Sequence, residues 1–111
     1  MLKSFADAFR GIFLLIKSER NFQIHIVALI CVCAAGFYFE INRFEWIVIV
    51  LTSALVLGLE GVNSALEKLC DEVTEERKES IRTIKDIASG AVLIGAIAAI
   101  VVAGLIFSSY F

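Results

Sequence analysis

Glu60, Asn63, Ser64 and Glu67 follow one another at i, i+3, i+4 and i+7, the spacing that lines a single stripe of an α-helix. They stand in and just beyond an apolar run from about 46 to 66 (WIVIVLTSALVLGLEGVNSAL), long enough for a helix that crosses a bilayer. Counted from Trp46, Glu60 lies fourteen residues along the run. At a rise of ~1.5 Å per residue that is ~21 Å into a hydrocarbon layer of ~30 Å. A charged side chain within a span costs on the order of 2.5–3.5 kcal/mol on the insertion scale, and such a residue faces a partner or a wet cavity. Glu60 is therefore the leading candidate for chemistry. Glu67, two turns later at the water boundary, gains weight from sharing its stripe. Asn63 alone could simply hydrogen-bond one helix to another.

Two more charged groups meet the stripe at the same depth. Lys85 and Asp86 immediately precede an apolar run, and Glu19 and Arg20 immediately precede another. A three-span topology brings Glu19, Glu60, Glu67, Lys85 and Asp86 to one rim. Carboxylates beside a lysine at a wet boundary suit Mg²⁺ and phosphate, because Mg²⁺ takes one or two carboxylates plus the substrate's phosphate oxygens. Lysine adds a point charge for the phosphate. No GxxxxGK[ST] loop, GxGxxG, HRD or DFG kinase signature, or HExxH is present, so nucleotide chemistry here needs a different scaffold.

The elements that must position these residues are legible from composition. The chain has 111 residues, 59% of them hydrophobic, and no proline. That exceeds the ~45–50% of soluble domains and excludes disorder, and the formal net charge of -2 argues against nucleic-acid binding. Three spans are expected, at about 23–39, 46–66 and 87–107, in an all-α membrane protein of one domain, 1–111. Residues 1–18 predict an amphipathic helix, since Leu2, Phe5, Phe9, Ile12, Phe13 and Ile16 share one face; it would lie on the membrane surface and is not a cleavable signal peptide. Lysine and arginine number four before the first span, one between the first and second, and five between the second and third. The positive-inside rule then puts the N-terminus and the 68–85 connection in the cytoplasm, and the C-terminus outside. The charges of 68–85 read mainly as solvated faces of two helix extensions joined near 74–76. His25 reads as a packed or interfacial residue, and Cys31, Cys33 and Cys70 as packing residues. Small residues on the third span, including Ala91, Gly95 and Ala99 at four-residue steps, predict a homo-oligomer.

EGVNSALEKLCD (60–71), then KDIASGAVLI (85–94), with Glu19-Arg20-Asn21 before the first span, resembles the prokaryotic integral membrane diacylglycerol kinase family, which includes the undecaprenol kinases. Cys70, where the pattern commonly has Val, is a packing difference. The resemblance implies a trimer of three-span protomers that transfers the γ-phosphoryl of MgATP to a lipid hydroxyl in the bacterial cytoplasmic membrane. It implies Glu60 as general base, and Asn63 with Ser64 as support for the lipid site. It implies Glu19 and Glu67 as carboxylates holding the metal–nucleotide, and Lys85, Asp86 and Asp71 as nucleotide or phosphate contacts. Diacylglycerol and undecaprenol both present one primary hydroxyl on a long apolar body; the 19–26 stretch (ERNFQIHI) looks more like the undecaprenol kinase branch.

Two other classes compete. A small oligomeric channel or proton-coupled transporter could use Glu60 and Asn63 as pathway residues. Against it, polar groups crowd one side of the spans, with only Thr52 and Ser53 at the matching outer level of the second. A purely structural assembly protein would not require Lys85 and Asp86 beside Glu67.

Overall fold

The computed structural model describes residues 1–73 and 78–111. They form four α-helices: α1 (Leu2–Ser18), α2 (Arg20–Tyr38), α3 (Arg43–Val73) and α4 (Glu79–Ser108). α2, α3 and α4 are each long and apolar enough to cross a membrane. α3 and α4 pack along each other, α2 lies against α3, and α1 adjoins α2. Glu19, Val73 and Glu79 lie at one end of the bundle, the charged end. The 39–42 turn and the chain terminus lie at the other, the aromatic end.

α1 buries no residue; Phe5, Phe9, Ile12, Phe13 and Ile16 are all exposed. Its apolar face is thus left uncovered by the rest of the chain, in keeping with the amphipathic pattern. The helix stops at Glu19, whose backbone is extended. Gln23 then reaches back: its Nε2 donates to the carbonyls of Ile16 (2.8 Å) and Lys17 (3.2 Å), satisfying groups that a helix end leaves bare. The elbow between α1 and α2 is thereby fixed, with Glu19 at its corner.

The turn from α2 to α3 is closed from both sides. Ile41 N–H donates to Gly36 O and Glu40 N–H to Phe37 O, while Glu40 adopts φ 50°. This is a Schellman ending with a non-glycine in the left-handed position. Asn42 and Glu45 then form a capping box. Glu45 N–H donates to Asn42 Oδ1 at 2.8 Å, and Asn42 N–H to Glu45 Oε1 at 3.0 Å. A Cβ on Gly36 would stand 2.7 Å from the Trp46 ring, so only glycine admits that indole. Ile41, Ile49 and Ile106 make the core at this end, with Phe39, Trp46, Phe107 and Tyr110 around it.

Two helices outrun their apolar windows. α3 continues past 66 to Val73, and α4 begins at Glu79, not near 87. Hydropathy marks where lipid ends, whereas the backbone ladder continues through Glu, Lys and Asp without a proline to stop it. The two extensions were expected; their joint near 74–76 falls outside the described residues. Gly95 is consumed inside the chain, where its missing Cβ leaves room for Leu59 and Val56 of α3. Gly90 and Gly104 face open space. Of the cysteines, only Cys70 is buried: Cys33 is half-buried and Cys31 exposed, because α2 offers one narrow stripe to α3 and Cys31 lies off it. That corrects the expectation that all three pack within the chain.

Candidate functional site

The buried seam of α3 is polar at its charged end. Glu60, Asn63 and Ser64 are 3%, 5% and 3% exposed, and among the described residues they are the only buried polar or charged ones. Helical spacing puts them on one stripe, and packing of α3 against its neighbours turns that stripe inward. Glu67, one turn beyond Asn63, is half-buried and accepts a hydrogen bond from Asn63 Nδ2 at 3.2 Å. The other amide atom, Asn63 Oδ1, is buried without a partner. A buried acceptor left unpaired costs stability on the order of 1–3 kcal/mol.

Glu60 is approached from α2. His25 Nε2 lies 3.7 Å from Glu60 Oε2, with the two side chains 24% and 4% exposed. The reading of His25 as a packed or interfacial residue omitted this contact. A signal for it was present, since an ionisable residue inside an apolar window is itself a mark of function.

Outside the 46–66 and 87–107 spans, two ion pairs tie the helices together. Lys68 donates to Glu19 Oε1 at 2.7 Å, joining α3 to the α1–α2 elbow. Lys85 donates to Asp71 Oδ1 at 3.0 Å, joining α4 to α3. Each lysine is held above its ordinary pKa, first by that hydrogen bond, and Glu67 adds its charge to both. Each pair has one well-exposed partner, Lys68 or Asp71, so solvent screens it and its value lies in placement more than in stability. Glu19, Glu67, Asp71, Lys68 and Lys85 therefore act on one another. Lys68 was missing from the predicted set; its place in a charged run gave it the look of a solvated residue.

Asp86 is the exception to convergence. It lies at the level of Lys85 but is 73% exposed on its side chain, with Arg82 Nε at 3.9 Å as its partner. Successive residues on a helix point ~100° apart, so one face of α4 cannot turn both Lys85 and Asp86 toward α3. Within one protomer Asp86 looks outward.

Hard carboxylate oxygens beside lysines are the donor chemistry of a magnesium–phosphate site. Among the described residues no group of three His, Cys, Asp or Glu converges as a metal cage. Glu19 and Glu67 are the carboxylates at this end that could each give an oxygen to an ion such as Mg²⁺, which takes most of its other ligands from phosphate and water.

A buried carboxylate in a span, with a charged apron at the membrane boundary, describes an integral membrane enzyme acting at that boundary. The profile described as prokaryotic diacylglycerol kinase matches residues 6–107, and the chain belongs to that family of membrane lipid kinases. The undecaprenol kinase of Bacillus subtilis (strain 168) is 37% identical over 105 residues, covering 95% of this chain and 85% of its own length. The diacylglycerol kinase of Synechocystis sp. is 38% identical over 105 residues, 94% of this chain but 60% of that protein. The diacylglycerol kinase of Escherichia coli (strain K12) is 24% identical over 111 residues, 100% of this chain and 91% of its own.

Proposed function

We propose that the protein transfers the γ-phosphoryl group of MgATP to the primary hydroxyl of a membrane lipid, undecaprenol or diacylglycerol, in the bacterial cytoplasmic membrane. The observation that carries this reading is the buried Glu60–Asn63–Ser64 stripe, continued at the charged end by the Asn63–Glu67 hydrogen bond. The lipid's hydroxyl lies at the membrane boundary nearer to Glu60 and reaches the carboxylate from that side. Glu60 takes the hydroxyl proton as the lipid oxygen bonds to the γ-phosphorus and the bond to the departing ADP oxygen breaks. Asn63 Oδ1, buried and unpartnered, offers an acceptor to the incoming substrate. Lys85 and Asp71 contact the nucleotide, joined by Asp86 of a neighbouring copy, and Glu19 and Glu67 hold the metal. Mg²⁺, when bound, neutralises the phosphate charge that builds in the transition state.

The same reading orients the chain. The end that holds nine of the ten lysines and arginines faces the cytoplasm, where ATP is, and the aromatic end faces outward. All 111 residues form one domain, with α1 on the inner leaflet. The outward Asp86 and the exposed apolar flanks of α2 and α4 support a homo-oligomer, a trimer, in which a neighbour's α4 brings Asp86 to the site. The channel alternative loses ground on one feature. Towards the aromatic end the buried seam of α3 is aliphatic at Ile49 and Val56, and Thr52 spends its hydroxyl on the Val48 carbonyl.

The test is direct. Purified protein receives γ-labelled ATP, Mg²⁺ and either undecaprenol or diacylglycerol in mixed micelles. Label moving into the organic phase with one or both lipids is the expected result, and the faster lipid names the acceptor. The 19–26 stretch favours undecaprenol. Label staying in water with both lipids, while liposomes carrying the protein pass ions, would replace the kinase reading with the channel.

A further inference from the structure

We propose that His25 is a positioning residue for Glu60, orienting its carboxylate and carrying its proton out of the membrane; this rests on Glu60 being the base. The geometry leaves few other partners. Among the described residues, His25 is the ionisable side chain of another helix within 4 Å of Glu60. Lys68 and Lys85 are engaged by Glu19 and Asp71, and the Asn63 amide nitrogen is spent on Glu67. The buried residues of α4 are Ala88, Val92, Gly95 and Ile106, none of them ionisable. From the α1 side, Leu15 comes close to Gly61.

A buried base faces a problem that an exposed one does not. Once Glu60 holds the lipid's proton it must lose it before the next turnover, and its side chain is 4% exposed. His25 lies 3.7 Å from it, is 24% exposed and stands in the first turns of α2 next to the charged end, so the imidazole sits between the buried carboxylate and that boundary. The proton passes from Glu60 Oε2 to His25 Nε2, and His25 releases one from Nδ1 to water. Glu60 is then a carboxylate again and His25 a neutral Nε2–H tautomer that donates to it; a flip of the ring presents the bare nitrogen for the next proton. The 3.7 Å separation is longer than a hydrogen bond, and such contacts tighten when substrate binds.

Full-length wild type, His25→Ala, His25→Gln and Glu60→Gln are compared by steady-state kinetics with MgATP and the faster lipid. Gel filtration and melting in the same detergent establish that each is folded. His25→Ala is expected to lower kcat about 10- to 100-fold, the scale on which an orienting partner acts, while KM for MgATP moves less than about twofold. Imidazole added to the buffer restores part of that loss. It restores nothing in Glu60→Gln, which is slower still. His25→Gln can donate to the carboxylate but cannot relay a proton, so it stays slow; it serves as the test variant if His25→Ala does not fold. A His25→Ala kcat near that of wild type, a loss that imidazole does not relieve, or full activity in His25→Gln would overturn the relay. If Glu60→Gln keeps its rate, the base assignment itself fails. If Glu60→Gln is inactive and His25→Ala is not, only the role of His25 falls.

Discussion

The buried seam of α3 changes character along its length. Towards the aromatic end it is Ile49 and Val56, with Ile41 and Ile106 in the core beside Ile49; one turn beyond Val56 it is Glu60, then Asn63 and Ser64. The aliphatic half is held redundantly, by a Schellman ending, a capping box, the indole seated on Gly36 and the Tyr110 hydroxyl donating to Glu45. The polar half buries a carboxylate opposite a histidine at 3.7 Å and leaves Asn63 Oδ1 without a partner. A helix selected for stability alone would continue the aliphatic seam, since unpaired buried polar groups destabilise. One end holds the bundle together, and the other tolerates unfavourable contacts in a form that suits chemistry.

Substitutions at the two ends should separate along this line. Lys85→Met at the charged end is expected to lower lipid phosphorylation by about 10²-fold, the scale of losing one preorganised charge-stabilising donor. Its melting temperature should match wild type, because the Lys85–Asp71 pair is solvated. Thermal unfolding and label transfer on the same preparation would check both. Gly36→Ala at the aromatic end should do the reverse. Its Cβ would meet Trp46 at 2.7 Å, so stability should fall by about 1–3 kcal/mol in detergent, with the activity of the folded fraction retained.

Smaller effects sharpen the picture of the aromatic end. The hydrogen bond to Glu45, then burial, raise the Tyr110 pKa above its ordinary value. A raised acid favours the neutral phenol in the folded state, so this latch is intact below about pH 10 and is lost as pH climbs through the folded value. Ultraviolet titration of tyrosinate should show Tyr110 ionising later than free tyrosine, and returning toward it in Glu45→Gln. Glu40→Gly should raise stability by less than about 1 kcal/mol, since relief at φ 50° is partly offset by the greater chain entropy of glycine. Thermal melts of the two proteins side by side would resolve it.

Much of the polar half was legible from sequence, because lipid makes a carboxylate in a span conspicuous and helical spacing then assigns Asn63, Ser64 and Glu67 to its face. The length of α3 and α4 was less so. Hydropathy reports the solvent, and the helices run on into water. The orientation of Asp86 was hidden for a different reason: adjacency in sequence places it at the depth of Lys85 but on another face. The Asn42-x-x-Glu45 capping box was visible as a signature, yet it lay in a short loop read only for its charge. His25 could be flagged by type and place, but its pairing with Glu60 depends on how α2 rotates against α3, which periodicity does not set.

The central claim is that the polar half of the α3 seam serves chemistry and not cohesion. Glu60→Gln tests it most directly, with melting temperature, MgATP binding and lipid phosphorylation measured on one preparation. The expected result is unchanged or higher stability, retained MgATP binding, and a rate lowered by about 10²–10⁴-fold, the contribution of a positioned base. A variant that phosphorylates lipid at the wild-type rate, or that loses activity only because it unfolds, would contradict the account.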